Sequence, residues 1–164
     1  MRIRAKWNTA AAIAVIALLA ACGFHLQGRM QLPPTLAAAW VEPSDAQSDF
    51  YLGLRAALKA SGTTLPDAAG TGVAAIRILQ DGVSERVLTV SARNTPTAYE
   101  LTYTVRVSVS ANGAELMAPE THSVLREYSF DESALLAKDR ERDALSAALA
   151  DELVTQVMRR LASL

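Results

Sequence analysis

Cys22 is the only cysteine among 164 residues. Alone it forms no internal disulfide and completes no Cys-x-x-Cys metal or redox site. The two histidines are His25, three residues further on, and His122, in a segment that reads as a half-exposed strand. Each reads as an ordinary surface or core-edge side chain, and no metal site is expected. A Gly-x-Ser-x-Gly elbow, a His-Glu-x-x-His pair and a Walker phosphate loop are missing from the sequence. Glu141 and Asp143 are spaced as a carboxylate pair, but they lie in the run KDRERD at 138–143. Such a run reads as the solvated start of a helix, so the chain is not expected to be an enzyme.

The setting of Cys22 points to a different chemistry. Arg2, Arg4 and Lys6 form a basic head, an apolar block covers 10–21, and the first acidic residue is Glu42. A positive head, a short apolar middle and small residues before a break make an export signal. The block is shorter than the about 20 apolar residues that a membrane-spanning helix needs. Leu19-Ala20-Ala21-Cys22 has the form of a bacterial lipobox, Leu and two small residues before Cys. Diacylglycerol on the thiol, cleavage before Cys22 and a further acyl chain on the freed amine are expected; no other cofactor is. Two or more chains hold a protein on a membrane stably, where one does not. By resemblance to enterobacterial sorting rules, Gly23 rather than Asp at the next position favours the outer membrane over inner-membrane retention.

The expected organisation is a signal peptide at 1–21, a lipidated tether at 22–34 and one domain at 35–164. Cleavage leaves 143 residues, enough for a real core. It also removes three positive charges, leaving 13 Lys and Arg against 17 Asp and Glu. A nucleic-acid binder would be basic, so that class is disfavoured.

The elements follow from periodicity. Pro33-Pro34 closes the tether, and the apolar run at 36–42 predicts a buried first strand. SDFYLGLRAALKASG, 48–62, predicts a helix with Ser48 as N-cap, Gly62 as stop, and Phe50, Leu54 and Leu58 on one face. A loop covers 65–72. Strand-like runs cover 73–79 and 83–91, interrupted by Asp81-Gly82, and 93–96 makes a turn. Residues 99–110 alternate strictly, with Tyr99, Leu101, Tyr103, Val105, Val107 and Val109 on one side. Period two marks a strand with one wet face. Asn112-Gly113 signals a tight hairpin, and the returning strand is expected at about 120–130, its start limited by Pro119. Leu145, Leu149, Leu153, Val157 and Leu161 recur every fourth residue and predict a last helix. The order β-α-β-β-β-α implies an α+β two-layer sandwich, a four-stranded, largely antiparallel sheet with two helices on one face.

Three stretches carry a family resemblance. They are Cys22-Gly23-Phe24-His25-Leu26; Arg93-Asn94 followed by Ala98-Tyr99-Glu100 and the alternating strand; and Leu136-Ala137-Lys138-Asp139 opening the last helix, with Arg160-Leu161 near its end. With this order and spacing the chain resembles the LptE family of lipopolysaccharide-assembly lipoproteins over essentially all of its mature length. It differs from the better-known members in having little beyond the last helix. The resemblance implies the same sandwich fold. It implies an outer-membrane lipoprotein on the periplasmic side that plugs the lumen of the LptD β-barrel, one to one, and helps it fold. The pair places lipopolysaccharide in the outer leaflet, and the lipoprotein binds lipopolysaccharide itself.

Lipopolysaccharide carries phosphates, which Arg grips bidentately and Lys meets as a compact charge. Arg93, at a strand-connecting turn, and Lys138, at the start of the last helix, match basic positions of the family and are the expected contacts. Arg86, Arg106 and Arg126 are further candidates. A plug also needs a polar surface to meet a polar lumen, and the side bearing Thr102, Thr104, Arg106 and Ser108 suits that, as it suits plain solvent. The same anchor and fold would also serve a pilotin-like chaperone or an accessory subunit of another envelope transport complex. A small envelope hydrolase is the remaining alternative.

Overall fold

The computed structural model describes residues 30–129 and 135–164, with the backbone alone at 135–138. The expected signal peptide, Cys22, His25 and most of the expected tether therefore lie outside the described residues. In chain order come β1 (Ala39–Glu42), α1 (Asp49–Ala60), β2 (Ala74–Val90), β3 (Pro96–Ala111), β4 (Ala114–Ser129) and α2 (Leu135–Ala162). The strands form one sheet in the order β1-β2-β3-β4. β1 runs parallel to β2, with α1 in the connection, and the other pairs are antiparallel. This is the expected α+β sandwich.

Local chemistry explains each boundary. Pro33-Pro34 sets a single 3-10 turn at Pro34–Leu36, so β1 starts at Ala39, later than the apolar run suggested. Leu36 is fully buried all the same. At the start of α1 the Ser48 hydroxyl accepts from the Tyr51 amide at 3.0 Å, and Asp49 faces the positive end of the helix dipole. At its end Gly62 takes φ +94°, while the Thr63 and Gly62 amides donate to the Leu58 and Lys59 carbonyls, both at 3.1 Å. That is a Schellman closure, which favours glycine at the left-handed position.

Asp81-Gly82 does not break the second strand. β2 continues from Ala74 to Val90, with Leu79 bulging out of register against β3 and further register shifts between Val87 and Val90. The bulge lets Asp81 turn to the helix side, where it accepts from the Tyr103 hydroxyl at 2.8 Å and from the Ser48 hydroxyl. Pro119 likewise does not delay β4, which begins at Ala114. β4 is an edge strand, and Pro119 sits at a register shift between Met117 and Glu120, where a missing amide costs no ladder bond. The β3–β4 hairpin closes on Asn112 and Gly113, both at positive φ (51° and 81°), as a two-residue turn requires.

The core lies between the helices and one sheet face. Leu101, Val105 and Val107 of β3, Ile76 of β2 and Met117 of β4 meet Phe50, Leu54 and Leu58 of α1 and Leu149, Leu153, Val157 and Leu161 of α2. Gly53 allows α1 and α2 to approach closely: a Cβ there would stand 3.1 Å from Val154 Cγ2.

Candidate functional site

Arg93 sits in the turn between β2 and β3. Ser91 builds that turn: its amide donates to the Thr95 carbonyl at 2.8 Å, and its hydroxyl accepts from the Arg93 and Thr95 amides, each at 3.3 Å. Asn94 takes φ 60°, the left-handed conformation that Asn tolerates. Arg93 is exposed, and its guanidinium has no partner among the described residues. Lys138 falls in the first turns of α2, and its side chain lies outside the described residues. β4 ends at Ser129, paired with Ala98 beside the Arg93 turn, and α2 starts six residues later. Position 138 and Arg93 are therefore at the same end of the sheet.

The other three candidates lie outside the turn, Arg86 and Arg126 on the same half of the sheet and Arg106 farther along β3, in different states. Arg86 grips Glu100 with two parallel bonds, 2.6 Å from Nε and 2.9 Å from Nη2. The Glu100 side chain is only 11% exposed and the Arg86 side chain 69%. Arg86, through its hydrogen bonds, holds the Glu100 carboxyl below the usual carboxylate range. Arg126 donates from Nη2 to Glu152 Oε2 of α2 at 2.9 Å. Arg106 is exposed on the sheet face away from the helices, beside Gln80 and Thr121, with no partner among the described residues. It stands ten residues along β3 from Pro96, about 30 Å from the Arg93 turn. Its neighbours on that polar face include Thr104 and Ser123, hydrogen-bonded at 2.8 Å.

A cluster the sequence did not single out lies on the helix side of the distal sheet. Glu85 Oε2 accepts from the Tyr128 hydroxyl at 2.7 Å and pairs with Arg142 Nε of α2 at 3.4 Å. Tyr99 and Tyr128 stack with ring centroids 5.4 Å apart. Burial, then the bond to Glu85, pushes the Tyr128 hydroxyl well above its ordinary range. The signal was present in KDRERD: Arg142 is one helical turn from Lys138. Nearer the far end of α2, Arg160 forks onto Glu120 at 2.7 and 3.0 Å and holds that carboxyl low. His122 is more enclosed than a half-exposed strand suggested. Its Nε2 is buried without a hydrogen-bond partner among the described residues, 4.0 Å from Glu120.

The LptE lipopolysaccharide-assembly family model matches residues 35–161. This chain belongs to the LptE family. The LPS-assembly lipoprotein LptE of Yersinia enterocolitica is 32% identical over 149 residues, covering 89% of this chain and 70% of that relative. That of Pectobacterium atrosepticum is 24% identical over 147 residues, covering 89% and 79%. Among solved structures, lipoprotein B of Nitrosomonas europaea superposes with a TM-score of 0.70 at 23% identity, over 86% of this chain and 91% of that one. The rare lipoprotein B of Shewanella oneidensis gives 0.68 at 23% identity, over 77% and 94%. These likenesses show the shared fold. Family membership makes the chain an envelope-associated lipopolysaccharide-assembly lipoprotein, a role that is not enzymatic. No helix among the described residues is long and apolar enough to cross a membrane.

Proposed function

We propose that this protein is anchored in the outer membrane by acyl chains on Cys22, plugs the LptD β-barrel one to one, assists its assembly, and takes part in placing lipopolysaccharide in the outer leaflet. It contacts lipopolysaccharide directly, through phosphate groups, with Arg93 and Lys138. The observation that carries the contact is the exposed guanidinium of Arg93, unpaired among the described residues, at the tip of the β2–β3 hairpin and at the sheet end where α2 brings position 138. Arg86 and Arg126 are already committed to carboxylates, so a phosphate would have to displace Glu100 or Glu152 to reach them. Arg106 has no partner among the described residues but is remote, on a polar face suited to a polar lumen wall.

The test is purification of the tagged protein from its own outer membrane in mild detergent. One large β-barrel chain is expected to co-purify in equal amount. Recovery alone, or with a different pore, would overturn the plug assignment and leave family membership intact.

A further inference from the structure

The first half of α2 is an overhang. Among its described residues none before Leu149 is buried, and residues 139–144 are exposed all round. From Leu135 to Leu149 the helix extends about 21 Å. The exposed stretch at 139–144 takes no fixed pose from apolar packing of its own, and Leu145, the next large apolar residue, is only partly buried against the core. Within that exposed stretch the tie to the sheet is a charge contact, Arg142 Nε to Glu85 Oε2 at 3.4 Å, with the side chains 46% and 25% exposed. Glu85 is itself steadied by the Tyr128 hydroxyl at 2.7 Å, and Tyr128 by its stack on Tyr99. Glu85 thus rests on the sheet and reaches to the helix.

The positions of these residues matter. Glu85 is on β2, the strand that runs into the turn bearing Arg93. Arg142 is four residues from Lys138, on the same helix face one turn away. We propose that Glu85 is a positioning residue: by holding Arg142 it fixes the overhang of α2 against the β2–β3 hairpin and so sets the spacing between positions 93 and 138. Its consequence for lipopolysaccharide rests on the reading given under Proposed function; the spacing itself does not.

Paired spin labels on Thr89→Cys and Arg140→Cys, in the full lipidated protein in detergent, read the spacing directly. Glu85→Ala is expected to broaden the distance distribution, and so is Arg142→Glu. Glu85→Lys combined with Arg142→Glu is expected to narrow it again, which general damage to the fold would not do. In unlabelled protein, Glu85→Ala is expected to weaken binding of purified lipopolysaccharide about three- to tenfold, with partial recovery in the charge-swapped pair. An unchanged distance distribution in both single variants overturns the proposal. A broadened one restored by the swap supports it. If, in addition, Arg93→Ala and Lys138→Ala leave lipopolysaccharide affinity intact, the contact assignment fails while the latch stands.

Discussion

At the scale of single residues, what separates the candidate cations is whether each already has a partner. Arg93→Ala and Lys138→Ala are each expected to weaken lipopolysaccharide binding about five- to tenfold, measured by titration of the purified lipoprotein. Arg93→Lys should recover only part of the loss, because it keeps the charge and loses the planar fork. Arg86→Ala should act differently. It strands the nearly enclosed Glu100 carboxylate, so it should lower the melting midpoint and leave lipopolysaccharide affinity near the parent value. The same pairs set the response to acid. Glu100 and Glu120 are held below their ordinary value of 4.5 by Arg86 and Arg160 respectively. A carboxyl that is more acidic folded than unfolded contributes stability above its unfolded value and loses it as pH falls through the folded one. The melting midpoint should therefore drop on acidification below about pH 4.5. Glu100→Gln with Glu120→Gln should flatten that drop; an equally steep profile in the double variant would refute the assignment.

At the scale of elements, the fold rests on one close helix contact and on strands that absorb irregularities. Gly53 lies where α1 meets Val154 of α2, with no room for a large side chain. Gly53→Leu should overpack this contact and cost about 1–3 kcal/mol by chemical denaturation. Adding Val154→Ala should recover part of it. The strand pattern was legible where one face is dry: the alternation from Tyr99 to Val109 appears in the structure as buried positions on one side. It was less legible where a bulge intervenes. Asp81-Gly82 reads as a breaker because both residues disfavour strands, yet the long β3 beside them supplies ladder partners, and Asp81 gains two hydroxyl donors. Pro119 reads as a start signal because it lacks an amide, yet an edge position makes that amide dispensable.

At the scale of the whole molecule, two regions differ in what holds them. The helix-covered part carries the apolar core, and Leu153, fully buried between α2 and the sheet, belongs to it. Leu153→Ala should cost about 2–5 kcal/mol in denaturant unfolding. Below its melting point that variant should still bind lipopolysaccharide like the parent, since the distal end carrying Arg93 lies outside that core. At the distal end the Tyr99–Tyr128 stack is supplemented by the Arg142–Glu85 ion pair, which salt screens. The two parts should respond differently: core substitutions move stability, whereas substitution of the unpaired Arg93 moves ligand affinity.

Several properties were determined by the sequence alone, because they are local. The N-cap at Ser48, the glycine stop at Gly62, the Asn112-Gly113 turn, the period-two strand and the four-residue repeat of the last helix each depend on neighbours within one or two turns of chain. The order of those elements sufficed for the fold class, and the family likeness for the place of Arg93 and Lys138. Only the tertiary structure decided which charges are free. Arg86 and Glu100 are 14 residues apart, Arg126 and Glu152 are 26 apart, and Arg160 and Glu120 are 40 apart. Their pairing depends on strand register and helix placement, which no local pattern encodes. The same is true of Glu85, an ordinary exposed-looking acid in the sequence, which becomes a bridge because β2 and α2 pass within reach of each other.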